Sequence, residues 1–127
     1  MTRFSYDGSI AFATELVSAE QAAGTMPIQP GILNPFGTVH AGALIWFADV
    51  VATTLALQGR VPEAGMTGFP LAINLSANLV GNSGEGSLHA SARFVKQGRR
   101  VSTVRTEVTS DAGKLLLDLT TTHIAAS

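Results

Sequence analysis

No cysteine occurs among the 127 residues. That excludes disulfides, thiolate metal sites and a cysteine nucleophile, and it fits a reducing compartment. Charge is scarce: Asp, Glu, Lys and Arg make up 13% of the chain, and the net charge is −1. Such a balance offers no general attraction for nucleic acid and no acidic tail. Aromatic residues, at 6%, are too few to alternate with basic ones as a stacking platform for single strands. Three histidines without cysteine give no reason to expect a metal. No apolar run follows Met1–Asp7, so no signal peptide is expected, and the expected location is the cytoplasm. Repeats, low-complexity stretches and linkers are absent, which leaves one domain over residues 1–127.

What the chain has in quantity is apolar side chains, 46% of its residues. With so few charges to cover a surface, part of that apolar area is expected to lie against another subunit.

Between Glu20 and Arg60 the only charged side chain is Asp49. It falls in the middle of the run His40-Ala41-Gly42-Ala43-Leu44-Ile45-Trp46-Phe47-Ala48-Asp49-Val50-Val51-Ala52-Thr53-Thr54-Leu55-Ala56-Leu57. The pattern predicts a helix over 39–58, closed by Gly59 as the residue after its end. It is apolar on nearly every side, so other elements should wrap it. Its length approaches a short membrane span. However, a central aspartate costs about 2.5–3.5 kcal/mol on insertion scales, so no membrane is expected. A carboxylate in such a setting is either hydrogen-bonded structure or a group in use. The turn-rich stretch Asn34-Pro35-Phe36-Gly37-Thr38-Val39-His40-Ala41-Gly42 directs Asn34, His40 and backbone amides toward the helix N-terminus.

Residues 9–17 read as either a short helix or a strand, and 24–29 as the start of a sheet. Beyond the helix the period becomes two. Leu71, Ile73, Leu75, Ala77 and Leu79 alternate with polar or small residues, as do Leu88, Ala90, Ala92 and Phe94. Turns at 81–84, 97–98 and 111–113 separate these from a Val/Thr-rich strand over 101–110 and a last strand over 114–124. Four consecutive antiparallel strands with short turns predict a meander, and the architecture is α+β.

Asn-Pro-Phe-Gly-Thr-Val-His-Ala-Gly, with an Asp nine residues after the His, resembles the hotdog-fold acyl-CoA thioesterases. The resemblance is to the phenylacetate-pathway and 4-hydroxybenzoyl-CoA branch, and it covers most of the chain. It implies a curved antiparallel sheet wrapped around one long central helix. It also implies hydrolysis of a coenzyme A thioester, aromatic or medium-chain, to free acid and coenzyme A, with no metal or organic cofactor. Asp49 would be nucleophile or general base on water. Ala41 would donate its backbone N–H to the thioester carbonyl, aided by the helix dipole. Asn34 would orient water or the carboxylate, His40 would shape the carbonyl site, and Thr53, one turn past Asp49, would assist hydrolysis. His40-Ala41-Gly42 stands where the family has His-Gly-Gly, and a backbone donor tolerates that alanine if its φ is negative. A helper serine of a related subgroup is missing, or is replaced by Thr67.

Other readings of the same residues stand beside these. Asn34 before proline is also a turn residue, and Thr53 can bond back to the Asp49 carbonyl. His89 and His123 sit on strand patterns and have no expected catalytic part. Phe36, Trp46, Phe47 and Phe69 fit a pocket or the core equally. Six of the eight basic residues lie between Arg93 and Lys114. They are either a solvated face or a clamp for the coenzyme phosphates, with Lys96, Arg99 and Arg100 its members. The resemblance implies a homodimer assembling to a homotetramer, with Asn34 and His40 facing Asp49 of the partner copy. Partly apolar sheet edges and a partly apolar outer face independently imply an oligomer. Two rivals remain: a hotdog hydratase or dehydratase, and an acyl-CoA-binding domain without turnover.

Overall fold

The computed structural model describes residues 2–126. Its elements are β1 (Ala13–Ser18), β2 (Gln21–Pro27), one 3-10 turn (Pro30–Ile32), α1 (Ala41–Leu57), β3 (Pro70–Leu79), β4 (Ser87–Gln97), β5 (Val101–Ser110) and β6 (Leu115–Ala125). All six strands form one antiparallel sheet in the order β1-β2-β4-β5-β6-β3. The helix packs on every strand, which is the hotdog arrangement implied by the motif.

Small residues on the sheet make room for large ones on the helix. Across the inner face, Ala22, Ala92, Thr106, Leu119 and Ala77 lie side by side, as do Gly24, Ala90, Val108, Leu117 and Leu79. Into this floor the helix inserts Leu44, Phe47, Val51 and Leu55, all fully buried. Burial of each such side chain stabilises by about 1.5–3 kcal/mol. Gly24 marks the closest approach: a Cβ there would lie 2.6 Å from Val51 Cγ2 and 2.9 Å from Phe47 Cε1. Gly24→Ala is therefore expected to cost about 1–3 kcal/mol through overpacking, read as a fall in Tm.

The helix begins at Ala41, two residues later than expected. His40 is its N-cap, and its Nδ1 accepts the Gly42 N–H at 3.1 Å. At the other end Gly59 follows the cap as expected, with φ 87°, and the cap residue Gln58 is left-handed as well (φ 52°). Gln58 tolerates this because its side-chain amide donates to both Leu55 O (2.8 Å) and Ala19 O (2.9 Å).

Three sequence expectations need correction. Residues 13–18 form a strand, and the sheet reaches back to Ala13 rather than starting at 24. Only β4, β5 and β6 form a meander; β3 pairs with β6 at the far edge, and β4 pairs with β2 instead. Finally, the outer face is polar across its middle, with Ser91, Glu107, Asp118 and Asn78 in one row and Arg93, Arg105, Thr120 and Ser76 in the next. Arg105 holds Asp118 through two hydrogen bonds, at 3.0 and 2.8 Å. The exposed apolar side chains gather instead on β3, at Leu71, Ile73, Leu75 and Leu79.

Candidate active site

The sheet wraps the helix incompletely. Gly42, Trp46, Asp49 and Thr53 recur at helical spacing on the side that no strand covers, and none of them is fully buried. Asp49 sits at the edge of this stripe. Its Oδ1 is buried without a hydrogen-bond partner among the described residues. Burial pushes the carboxyl above its ordinary range, and His123 acts in the opposite direction. A buried carboxylate oxygen left unpaired is costly, and the His123 charge offsets only part of that cost.

The second half of the constellation lies at the helix N-terminus. First-turn amides of a helix have no partner within the helix itself. Here Gly42 N–H bonds His40 Nδ1, and Ala43 and Leu44 N–H both bond His40 O. The Ala41 N–H has no partner among the described residues. Gln58 alone among the described non-glycine residues has a positive φ, so alanine at 41 is unstrained. The free amide therefore points out of a helix N-terminus, where the backbone dipoles favour negative charge.

Asn34 is spent on its own turn. Its Oδ1 accepts the Phe36 N–H (2.9 Å) and the Thr38 N–H (3.1 Å), and its Nδ2 reaches Thr38 Oγ1 (2.8 Å). Thr53 Oγ1 donates to the Asp49 carbonyl at 2.9 Å, so its proton is committed to the helix. Thr67 is exposed in the loop before β3. Of the four aromatics, Phe47 belongs to the core and Phe36 is solvent-exposed, while Phe69 is partly covered. Trp46 alone stands on the Asp49 stripe, braced edge-on by Phe12 at 4.9 Å.

Eight residues separate Ala41 from Asp49, about 12 Å along the axis. One copy of the chain therefore cannot bring the free amide and the carboxylate to the same atom. Within one copy these two groups do not meet.

Past Asp49 on the same side, Ala56 borders a cavity of about 80 Å³, lined also by Arg60, Arg99, Arg100, Ser102 and His123. Among the described residues no carboxylate lines it. Arg99 and Arg100 thus come together there, whereas Lys96 lies exposed on β4 and does not line it. Arg60 was missed by the sequence reading; it caps the helix end through its Nε bond to Leu57 O (3.1 Å). His123, given no catalytic part by the sequence, lines the cavity too. It is buried, its Nδ1 donates to Pro70 O (3.2 Å), and its Nε2 meets Thr121 Oγ1 (2.8 Å). The signal was its place in the inward series 117, 119, 121, 123 of β6. His89, by contrast, is an exposed partner of Asp111. Among the described residues no group of three or more His, Asp or Glu could hold a metal ion, and no helix is long and apolar enough to cross a membrane.

A family model described as a domain of unknown function, DUF4442, matches residues 1–124. No curated protein matches the chain by sequence. Solved structures do. A phenylacetic acid degradation-related protein of Ralstonia eutropha is 27% identical, with a TM-score of 0.76 over 89% of this chain and 83% of that one. A thioesterase of Haemophilus influenzae is 18% identical, with a TM-score of 0.80 over 91% and 78%. A Streptococcus mutans protein bound to acetyl-CoA is 18% identical, with a TM-score of 0.79 over 92% and 90%.

Proposed function

The chain belongs to the DUF4442 family, and we propose that it is an acyl-CoA thioesterase whose site forms between two copies. The observation that carries this reading is the pair of unspent groups on the helix. One is a desolvated carboxylate oxygen without a partner, and the other is a helix-N-terminal amide without one. Thioester hydrolysis requires these two groups and a water. The likeness to a thioesterase, to a phenylacetic acid degradation-related protein and to a fold seen with acetyl-CoA supports it.

In this reading the Ala41 N–H of one copy receives the carbonyl oxygen, and Asp49 of the other faces the carbonyl carbon. Asp49 either takes a proton from the attacking water or attacks itself and is freed by water in a second step. In both routes the C–S bond breaks and coenzyme A leaves as the thiol. His40 holds the amide in place through Gly42, and Asn34 holds the preceding turn. Thr53 fixes the helix beside the carboxylate. Arg99 and Arg100, with Arg60, receive coenzyme phosphates in the cavity beyond Ala56, and Lys96 lies at its periphery. The acyl group, aromatic or medium-chain, runs toward Trp46. No resident metal or organic cofactor takes part. Two copies pair through β3, two such dimers form the tetramer, and the protein works in the cytoplasm.

Release of free thiol from a panel of aromatic and aliphatic acyl-CoA esters tests this directly. Asp49 must be ionised to act, and burial raises its carboxyl. The acid limb of kcat/KM is therefore expected to lie above the range of an ordinary carboxylate, with activity falling as pH drops through it. An acid limb that stays unchanged in Asp49→Asn protein of undiminished activity removes Asp49 from the reaction. Saturable binding without thiol release would mean a binding module, and hydration of an enoyl-CoA would mean a hydratase.

A further inference from the structure

We infer that Asn82, on the loop between β3 and β4, is a positioning residue that aims the Ala41 amide at the reacting carbonyl. The inference rests on the reading that this amide is the oxyanion donor.

The chain reaches α1 through an extended stretch gripped from two sides. On one side His40 N–H bonds Ile32 O at 2.7 Å, and Leu33 bridges Val39. On the other side the Asn82 carboxamide does what a neighbouring strand would do. Its Oδ1 accepts the Val39 N–H at 3.0 Å, and its Nδ2 donates to the Val39 carbonyl at 3.0 Å. Ser83 O shares the same Val39 N–H at 3.2 Å. One side chain thus holds both polar groups of a residue that lies 43 positions away in sequence and two before Ala41. Val39 is 1% exposed, so water cannot substitute if the carboxamide is removed.

The gripping loop is itself fixed. The Ser83 N–H bonds Asn82 Oδ1 at 2.8 Å, which sets the Asn82 side chain. Val80 and Gly81 N–H both bond Leu116 O, at 2.9 and 3.3 Å. Gly81 presses so closely on β6 that a Cβ would lie 2.7 Å from Leu115 O. Asn82 therefore transmits the position of the rigid sheet to a backbone segment with no regular structure of its own. An oxyanion donor works only when pre-aimed at the developing charge, and a misplacement of about 1 Å costs up to 10²-fold. A loop asparagine that touches no substrate is the link between sheet and donor.

The test uses Asn82→Ala and the isosteric Asn82→Asp, which keeps an acceptor for Val39 N–H but turns a carboxylate oxygen toward its carbonyl. For both, kcat with the best ester is expected to fall about 10- to 100-fold while KM changes by less than about threefold, measured well below each variant's Tm. Amide hydrogen exchange at Val39 is expected to accelerate. A lowered Tm with kcat unchanged in either folded variant overturns the proposal, as does unchanged exchange at Val39. Wild-type protein that releases no thiol from any ester, with exchange still accelerated in the variants, overturns the hydrolase reading and the catalytic role of Asn82 together.

Discussion

Asp49→Asn is expected to lower kcat by about 10²–10⁴-fold, the range for loss of a positioned acid–base group, and at the same time to raise Tm at neutral pH. The two effects have one cause. The folded chain holds the Asp49 carboxyl above its ordinary value through desolvation, and leaves its Oδ1 without a partner. A carboxyl whose pKa is raised by folding binds its proton more readily in the native state. Its favourable contribution is fully present below the unfolded value and is lost as pH rises through the folded one. At pH 7 the ionised group therefore works against folding. Asparagine keeps the shape and removes the charge, so the Tm advantage of the variant should be largest near pH 7 and shrink toward pH 4. A purely structural aspartate would behave oppositely, since its removal would lower Tm and spare turnover. Thiol release and a pair of melting curves decide the matter. Full kcat in the variant would end the proposal for Asp49.

The same feature explains why the helix and its carboxylate were readable from sequence. An 18-residue run with one charge, preceded by Asn, Pro and Gly turns, has few structural solutions. The strands after it were readable too, because their alternation is local. The order of the strands was not. Pairing between residues 21–27 and 87–93 is set by how the sheet curls around Phe47 and Val51, and no local signal encodes it. The assumption that consecutive strands pair failed at β3. Its connection to β4 runs past the helix N-terminus, where Asn82 grips Val39, instead of turning back as a hairpin. As a bare sequence, Gly81-Asn82-Ser83-Gly84 reads only as a turn. His123 was passed over for a related reason: a polar residue in a strand has no face until the register is known. Thr53 and Asn34 show the reverse, since the structure gives their hydrogen bonds to the backbone and to their own turn. Both side chains are thereby engaged in holding local geometry.

Leu75→Asp on β3 is expected to convert the assembly to monomers and to reduce kcat/KM at least about 100-fold. The argument begins with the two edges of the sheet. The β1 edge is short, at 6 residues, carries Glu15 and loses its register between Leu16 and Ser18. These are the ordinary protections against strand addition. The β3 edge is 10 residues long and carries no charge. It leaves Leu71, Ile73, Leu75 and Leu79 each about half exposed, at 48%, 59%, 48% and 47%. An edge of this kind invites a second strand. Leu75 and Leu79 pair with the buried Thr121 and Leu117, so they project on the helix side, toward the stripe that carries Trp46 and Asp49. A second copy added along β3 would continue the sheet and cover that stripe with its own helix. It would also bring the Ala41 amide and the Asp49 carboxylate of opposite copies within reach, which a single helix prevents by about 12 Å. An aspartate at 75 places two carboxylates in the new interface without cations to pair them, a desolvation the association cannot offset. Val17→Asp on the β1 edge is the matched control, since Val17 is as exposed (55%) and should change neither mass nor turnover. Light scattering of both variants beside wild type, with thiol release on the same samples, reads the outcome. A Leu75→Asp protein that keeps its mass and its activity would place the interface elsewhere than β3.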